Sequence, residues 1–449
     1  MNTNSNQNSY LLDAPIPLAI IKMAIPTIIS MLVLSLYGMT DIFFVSKLGT
    51  SASAAVGIVF SILTMMQAVG SMIGIGAGNL LSKSLGEKNL SKASNIASVA
   101  FFLSIIFGLV VMTLGIIFKT ELMHFLGATK TILPFAEDFA HYLLLASPIM
   151  CCSFVLNILL RSQGKPNLSM IGLSFGALTN IFLEPIFIFS LNLGIKGAGI
   201  ATLCGQVVGF LLLLFLYLKH NNLAKIHFSH IFANTRQYFI AICFGGSPSL
   251  LRQGLVVIAN VLINVHARSY GDAAIAAFSI TNRIALIAVS VLFGLGQGFQ
   301  PIAGFSYGAK KFDRIKNAYF FTLIFGTIIQ TILCFFLYRY ASETMTFFQK
   351  NSEVVQIGTK ILQFIAISLP FIPITIVTNM IFQVAGKIGI SIFLSSCRQG
   401  IFFLPLIFVL PRFFGIIGLE LCQPLANILS AIISIPFIVL YFKKKKKAA

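Results

Sequence analysis

Apolar residues fill this chain in long blocks, and short polar stretches separate them. A block of about 20 apolar residues is what a helix needs to cross the hydrocarbon core of a bilayer. Such blocks lie near 16–46, 54–82, 93–118, 134–160, 168–190, 197–218, 237–265, 274–300, 317–338, 354–384, 388–410 and 415–442. The pattern therefore predicts twelve transmembrane helices and no soluble core.

The pattern also repeats. LGTSASAAVGI (48–58) returns as YGDAAIAAFSI (270–280), an offset of 222. SLGEK (84–88) returns as SYGAK (306–310), GIG (74–76) as GQG (296–298) and QGK (163–165) as AGK (385–387), all at the same offset. Later the register slips slightly, with Gly197 answered by Gly418 and Pro185 by Pro405. Six spans are thus duplicated. Six is even, so both copies keep one orientation and the pseudo-twofold axis lies along the membrane normal. The fold class expected is an all-α integral membrane protein of twelve helices in two six-helix bundles. Residues 1–15 are expected to be a disordered cytoplasmic tail. Helices 1–6 form an N-lobe over 16–218, and 219–236 is a cytoplasmic linker. Helices 7–12 form a C-lobe over 237–442, and 443–449 is a basic cytoplasmic tail.

Composition agrees with this. The chain of 449 residues is 57% hydrophobic and only 10% charged, with mean hydropathy +0.94. Soluble domains carry about a quarter charged residues. The net charge of +19 could suggest a nucleic-acid partner. Its distribution excludes one, because the basic residues fall in short loops and make no basic domain. With the N-terminus in the cytoplasm, inside loops and tail hold 18 Lys and Arg against 8 outside, the bias expected of cytoplasmic loops. The KKKKK tail (443–447) fits the same topology and anionic lipid. MNTNSNQNSY has no basic region or cleavage site of a secretory signal. The seven cysteines lie in apolar blocks without a CxxC, and read as buried free thiols. No nucleotide loop, HExxH or GxSxG is present. GSMIGIGAG (70–78) and FGLGQGFQP (293–301) lack a strand–turn–helix context and read as small-residue packing faces.

Two of the twelve carboxylates stand inside spans: Asp41 in the first and Glu184 in the fifth. Glu420 lies near the start of the last. A carboxylate within the membrane costs roughly 3 kcal/mol on insertion scales, and marks a polar cavity or an ion path. Both spans run outward, so both acids lie toward the outer side. Tyr37 stands four residues before Asp41, and Asn180 four before Glu184, so each pair shares a helix face. Pro185 frees the carbonyl of Ile181 beside Glu184, and Pro26 is expected to kink the first helix. Of the other intramembrane charges, Lys22 and Lys360 are expected to snorkel. Arg252, Arg283 and Arg398 are expected to pair with carbonyls or lipid phosphate.

At these residues the chain resembles the multidrug and toxic compound extrusion family, in its bacterial MepA-like and DinF-like branch of the MOP flippase superfamily. The resemblance rests on YGMTDIFFVSKLG, SKSLGEKN, RSQGKPN, NIFLEP, GIKGAGIAT, GLGQGFQPIAGFSYGAKK, FQVAGK and RQGIFFLPLIFVLP, in that order. It implies an antiporter in the bacterial cytoplasmic membrane, not an enzyme. Such a protein exports cationic drugs or dyes in exchange for inward H⁺ or Na⁺, needs no cofactor beyond that ion, and works as a monomer in lipid. It also implies a coupling site of Asp41, Glu184, Asn180 and Thr202. Asp41 and Glu184 would ligate Na⁺ if that is the ion, and Tyr37, Asn157 and Asp41 would line the substrate cavity. Two positions depart from the family pattern. Glu184 stands where aspartate is usual, and Asn427 stands where related exporters carry an acid. The alternative within the superfamily is a lipid-linked oligosaccharide flippase, which twelve spans and two membrane acids argue against.

Overall fold

The computed structural model describes residues 10–220, 222–226 and 235–448. Among them the chain is helical and strand-free. The N-lobe comprises α1 (Ile16–Ser46), α2 (Thr50–Gly86), α3 (Leu90–Ile117) and α4 (Leu133–Ser162). It is completed by α5 (Pro166–Pro185), extended by a π turn over Ile186–Ser190, and by α6 (Gly194–Lys219). The C-lobe has α7 (Thr235–Ala267), α8 (Asp272–Gly308) and α9 (Phe312–Arg339). Next comes α10 (Ser352–Ser368), which passes a tight turn at Leu369–Phe371 into Ile372–Val384. The helix α11 (388–414) begins as Ile388–Ser396 and carries a π turn at Cys397–Ile401. It abuts α12 (416–448) at Gly415, whose φ of 57° no helix interior holds. The loop expected at 411–414 is therefore helical, and a single glycine makes the bend.

The duplication is written in the backbone as well as in the sequence. Lys88 and Lys310 both take a left-handed conformation, at φ 59° and 58°, in the matched turns SLGEK and SYGAK. Gly164 and Gly386 do so at φ 81° and 71°. Two short helices, Lys119–Phe125 and Ala341–Phe348, follow the third helix of each lobe. The residues before them, Phe118 and Tyr340, share nearly the same φ and ψ. Met123 and Met345, again 222 apart, are fully buried beneath them. Seven or eight residues are too few to span a bilayer, so the hydropathy pattern merged these helices into loops.

The lobes meet on the face that carries the chain ends. There α2 crosses α7 and α8 at glycines. A methyl added to Gly76 would collide with the Ile242 carbonyl, one on Gly246 with the Met72 carbonyl, and one on Gly308 with the Lys83 carbonyl. Gly294 and Gly298 of α8 likewise seat against Ile28 and Ala24 of α1. Contact persists to Ser35 Oγ and Ser290 Oγ, 3.2 Å apart. Beyond that the lobes part. The face of α2 that carries Met72 and Gly76 continues outward, at helical spacing, to Met65 and Ala54, which are exposed. The seam face of α8 continues to Arg283, also exposed. A cleft between the lobes thus opens on the face opposite the chain ends.

The segment before α1 differs from the expected disordered tail. Residues 1–9 lie outside the described part, but 10–15 are packed. Leu11 is buried against Gly164 of the N-lobe. Arg314 of the C-lobe donates to the Leu11 and Ala14 carbonyls at 3.1 and 2.7 Å. Lys311 pairs with Asp13 at 2.7 Å, and Lys22 lies over the Tyr10 ring. Backbone carbonyls met by a guanidinium and one apolar anchor order what composition alone reads as free. The start of the expected 219–236 linker is also fixed. Lys165 Nζ donates to Asn222 Oδ1 at 2.8 Å, Tyr217 donates to the Ala224 carbonyl, and the Ala224 N–H donates to Gln163 Oε1. Residues 221 and 227–234 of that linker lie outside the described part.

Candidate functional site: a buried acid pair in the N-lobe

The helix α1 presents Tyr37 and Asp41 on one face, and α5 presents Asn180 and Glu184. The two faces meet inside the lobe beside Thr202 of α6. Glu184 is fully buried, Asn180 is 2% exposed and Asp41 9%. The Asp41 and Glu184 carboxyls are direct neighbours, and Tyr37 lies against both of them and Thr202. Asn180 Nδ2 donates to Thr202 Oγ1 at 3.2 Å, which fixes the amide and commits its donor. What remains is all acceptor. Glu184 Oε1 and Oε2, Asp41 Oδ1 and Asn180 Oδ1 are buried and take no hydrogen bond from an N–H or hydroxyl of the protein, and the two carboxyls lie within reach of a shared proton.

Acceptor oxygens without a donor are expensive in a dry interior, since they lose their hydration with nothing in return. Two of their carriers are carboxyls, which are cheaper to bury protonated or beside a cation than as bare anions. The donor set is hard oxygen. Among the described residues no three His, Cys, Asp or Glu side chains gather, which leaves a site suited to a proton or a small monovalent cation rather than a soft transition metal. Pro185 and the π turn that follows it end the regular hydrogen bonding of α5 one residue after Glu184, a kind of irregularity that recurs at functional sites.

A cavity runs inward from this pair between α1, α2, α4, α5 and α6. Tyr37, Gln67, Met150, Phe154, Asn180 and Gln206 line it. One wall is formed by glycines of α5 and α6, where Gly176 meets Gly205 and Gly209 backbone to backbone. Gln67 and Gln206 are not among the residues the sequence singles out. Their signal was a lone amide inside an apolar block of the second and sixth spans.

The other expected site residues are placed differently. Asn157 does not join the acids. It donates to the Ser169 carbonyl at 3.0 Å, pinning α4 to the start of α5, about 22 Å along that helix from Glu184 at 1.5 Å per residue. Pro26 is buried within a continuous α1, where the Thr27 and Ser30 hydroxyls bond the Met23 and Pro26 carbonyls. Glu420 proves to be a third intramembrane acid. It is 2% exposed, within electrostatic reach of Lys360. The sequence places it only near the start of the last span, since it lies five residues past the bend at Gly415.

The C-lobe also carries two half-buried arginines, Arg252 and Arg398. Arg398 Nε donates to Asn427 Oδ1 at 2.9 Å, and Asn427 also accepts from Gln423 and donates to Ser368. Arg252 lies over the Phe293 ring at 4.4 Å and close to Arg398. An amide and an aromatic face therefore replace the expected carbonyl or lipid phosphate at Arg398 and Arg252.

The MatE family model matches this chain twice, over residues 26–186 and 248–409. The chain belongs to the MatE family. The two matches start 222 residues apart, the offset of the repeat, and each covers the first five helices of one lobe. Among relatives of MatE type, the "Multidrug export protein MepA" of Staphylococcus saprophyticus is 25% identical over 88% of this chain and 87% of its own length. The protein of that name from a Staphylococcus aureus strain is 24% identical over 91% and 90%. A solved structure described as the outward-facing conformation of a multidrug resistance MATE family transporter superposes with a TM-score of 0.93. It is 25% identical and covers 98% of this chain and 99% of that one. The MatE fold of two six-helix lobes is therefore the fold of this chain.

Proposed function

We propose that this protein is a multidrug efflux antiporter. It exports organic cations and related amphipathic compounds in exchange for H⁺ or Na⁺ entering through Asp41 and Glu184. The observation that carries the reading is the set of four buried acceptor oxygens on Asp41, Asn180 and Glu184 that no N–H or hydroxyl of the protein meets. Exporter names among full-length relatives support it.

With the chain ends in the cytoplasm, the cleft faces outward. A cation from outside reaches the pair, and Tyr37, Thr202 and Asn180 hold the carboxyls in place. A bound proton or Na⁺ neutralises the site, and the field that held a cationic drug in the neighbouring cavity disappears. The drug leaves through the cleft. The lobes then close outside and part at the glycine seam, and the ion leaves inward. Coupling requires only that ion and drug favour different charge states of one site, so that each weakens the other's binding.

Ethidium efflux from proteoliposomes, driven separately by an imposed proton or sodium gradient, tests the proposal. One of the gradients should drive efflux in the wild type and fail in Asp41→Asn. Efflux driven equally well in that variant would refute the assignment.

A further inference from the structure

The arginines of the C-lobe have no part in that scheme. Arg252 of α7 and Arg398 of α11 are both half-buried near mid-span. Their partners lie on α8, through Phe293, and on α12, through Asn427. Asn427 in turn reaches Ser368 on α10. A side chain that meets neighbours across its own lobe points into the lobe and away from lipid. The two guanidiniums are also near enough to repel each other.

Neither has a counter-charge. Among the described residues the ion pairs are Lys92–Glu87, Lys196–Asp138 and Lys311–Asp13, all near the membrane surfaces. The buried C-lobe acid, Glu420, faces Lys360. Arg398 spends one donor on an amide oxygen, and Arg252 rests on an aromatic face. A guanidinium presents five donors in a fork that matches a carboxylate or phosphate, so most of this capacity is free. Two like charges held together in a membrane interior are unfavourable unless something anionic answers them.

Two independent features mark the place as a site. The helix α11 is irregular here, since the π turn Cys397–Ile401 includes Arg398, and such turns concentrate at functional positions. The repeat gives the second. At the offset of 222 Arg252 corresponds to Ser30, and Arg398, in the stretch where the offset falls from 222 to 220, corresponds to the segment 176–178 of α5. Gly176 and Ala177 of that segment line the N-lobe cavity. The C-lobe has set a cation where its twin leaves room.

We propose that Arg252 and Arg398 form an anion-binding subsite for the transported compound. The preferred substrates then carry a carboxylate or phosphate group on an amphipathic, partly cationic body. The subsite rests on the export reading only for its use. The arginines bind an anion whether or not the acid pair couples transport.

A matched pair of dyes tests this apart from transport. Rhodamine 110 has a free carboxylate, and rhodamine 123 is its methyl ester. Binding of each to the full chain in nanodiscs of zwitterionic lipid is read by fluorescence anisotropy. The wild type should bind the free acid about tenfold more tightly than the ester, the scale of a hydrogen bond to a charged group. Arg252→Gln with Arg398→Gln should bring that ratio to about one, and Arg252→Lys with Arg398→Lys should keep part of it. A ratio of one in the wild type overturns the proposal, as does an unchanged ratio in the glutamine variant. Displacement of the free acid by phosphatidylglycerol in the discs would assign the arginines to a lipid headgroup and overturn it equally. Failure of ion-driven ethidium efflux, with the binding ratio intact, would count against the antiport reading alone.

Discussion

The two lobes share a backbone and oppose each other in charge. At an offset of 222, Tyr37 corresponds to Ala259 and Asp41 to Ile263, both apolar and buried in the C-lobe. Glu184 precedes Pro185, and the matching Pro405 is preceded by Leu404. The acid site of the N-lobe is thus filled with aliphatic side chains in its twin, and the arginines of the C-lobe fall where the N-lobe has Ser30 and the uncharged segment 176–178. Turns, short helices and left-handed residues have survived duplication because they set where helices go. Interior side chains have diverged because a lobe tolerates any that pack and find partners. The N-lobe is left with an acid pair short of donors, and the C-lobe with two guanidiniums short of acceptors beside one separate buried acid, Glu420.

The comparison breaks most sharply at the acids. Glu184→Gln and Asp41→Asn should each lower ion-coupled efflux by ~100-fold, the upper range of a coupling free energy. Size-exclusion profiles should stay unchanged, because an amide replaces a buried carboxyl of the same shape. Nearly normal coupled efflux in both variants would mean that the lobes do not divide the work this way.

The seam between the lobes comes next. Gly246→Ala puts a methyl into the Met72 carbonyl, an overpacking of about 1–3 kcal/mol. It destabilises only the arrangement closed on the chain-end face. Distances between spin labels on the chain-end faces of the two lobes should lengthen, and an unchanged distribution would show that the seam has slack.

Asn180→Ala should have a smaller effect. It removes one oxygen and the clamp to Thr202, and should weaken ion affinity by about tenfold, as loss of a supporting ligand does. An ion titration followed by tryptophan-free tyrosine fluorescence can read it, since the chain has no Trp.

The smallest effect concerns the strap over both lobes. Its Asp13 carboxyl, hydrogen-bonded by Lys311, titrates below the usual carboxylate range. A depressed folded value means that the contribution is complete above about pH 3.9 and fades as pH falls through the lower folded value. A spin label at Leu12 should therefore gain mobility only in that acid range. In Asp13→Asn it should be equally mobile at all pH values.

Much of this was legible in the chain. Spans, repeat and acid pair rest on local signals: apolar block length, matched strings, and a charge where charge is costly. The short helices were hidden because hydropathy registers only segments long enough to cross. The order of residues 10–15 depends on Arg314, some 300 residues away. Asn157 carried the right chemistry, but the Ser169 carbonyl on the next helix satisfies it. The meeting of Arg252 and Arg398 is a matter of tertiary packing between α7 and α11. Each arginine alone reads as a lipid anchor, and together they do not.

The central claim is that drug and ion compete through one acid pair. The most direct test measures protons, or Na⁺, released when ethidium binds the detergent-solubilised protein in weak buffer. The account predicts release from the wild type and none from the Asp41→Asn, Glu184→Gln double variant that still binds the dye. Equal release from both would contradict it.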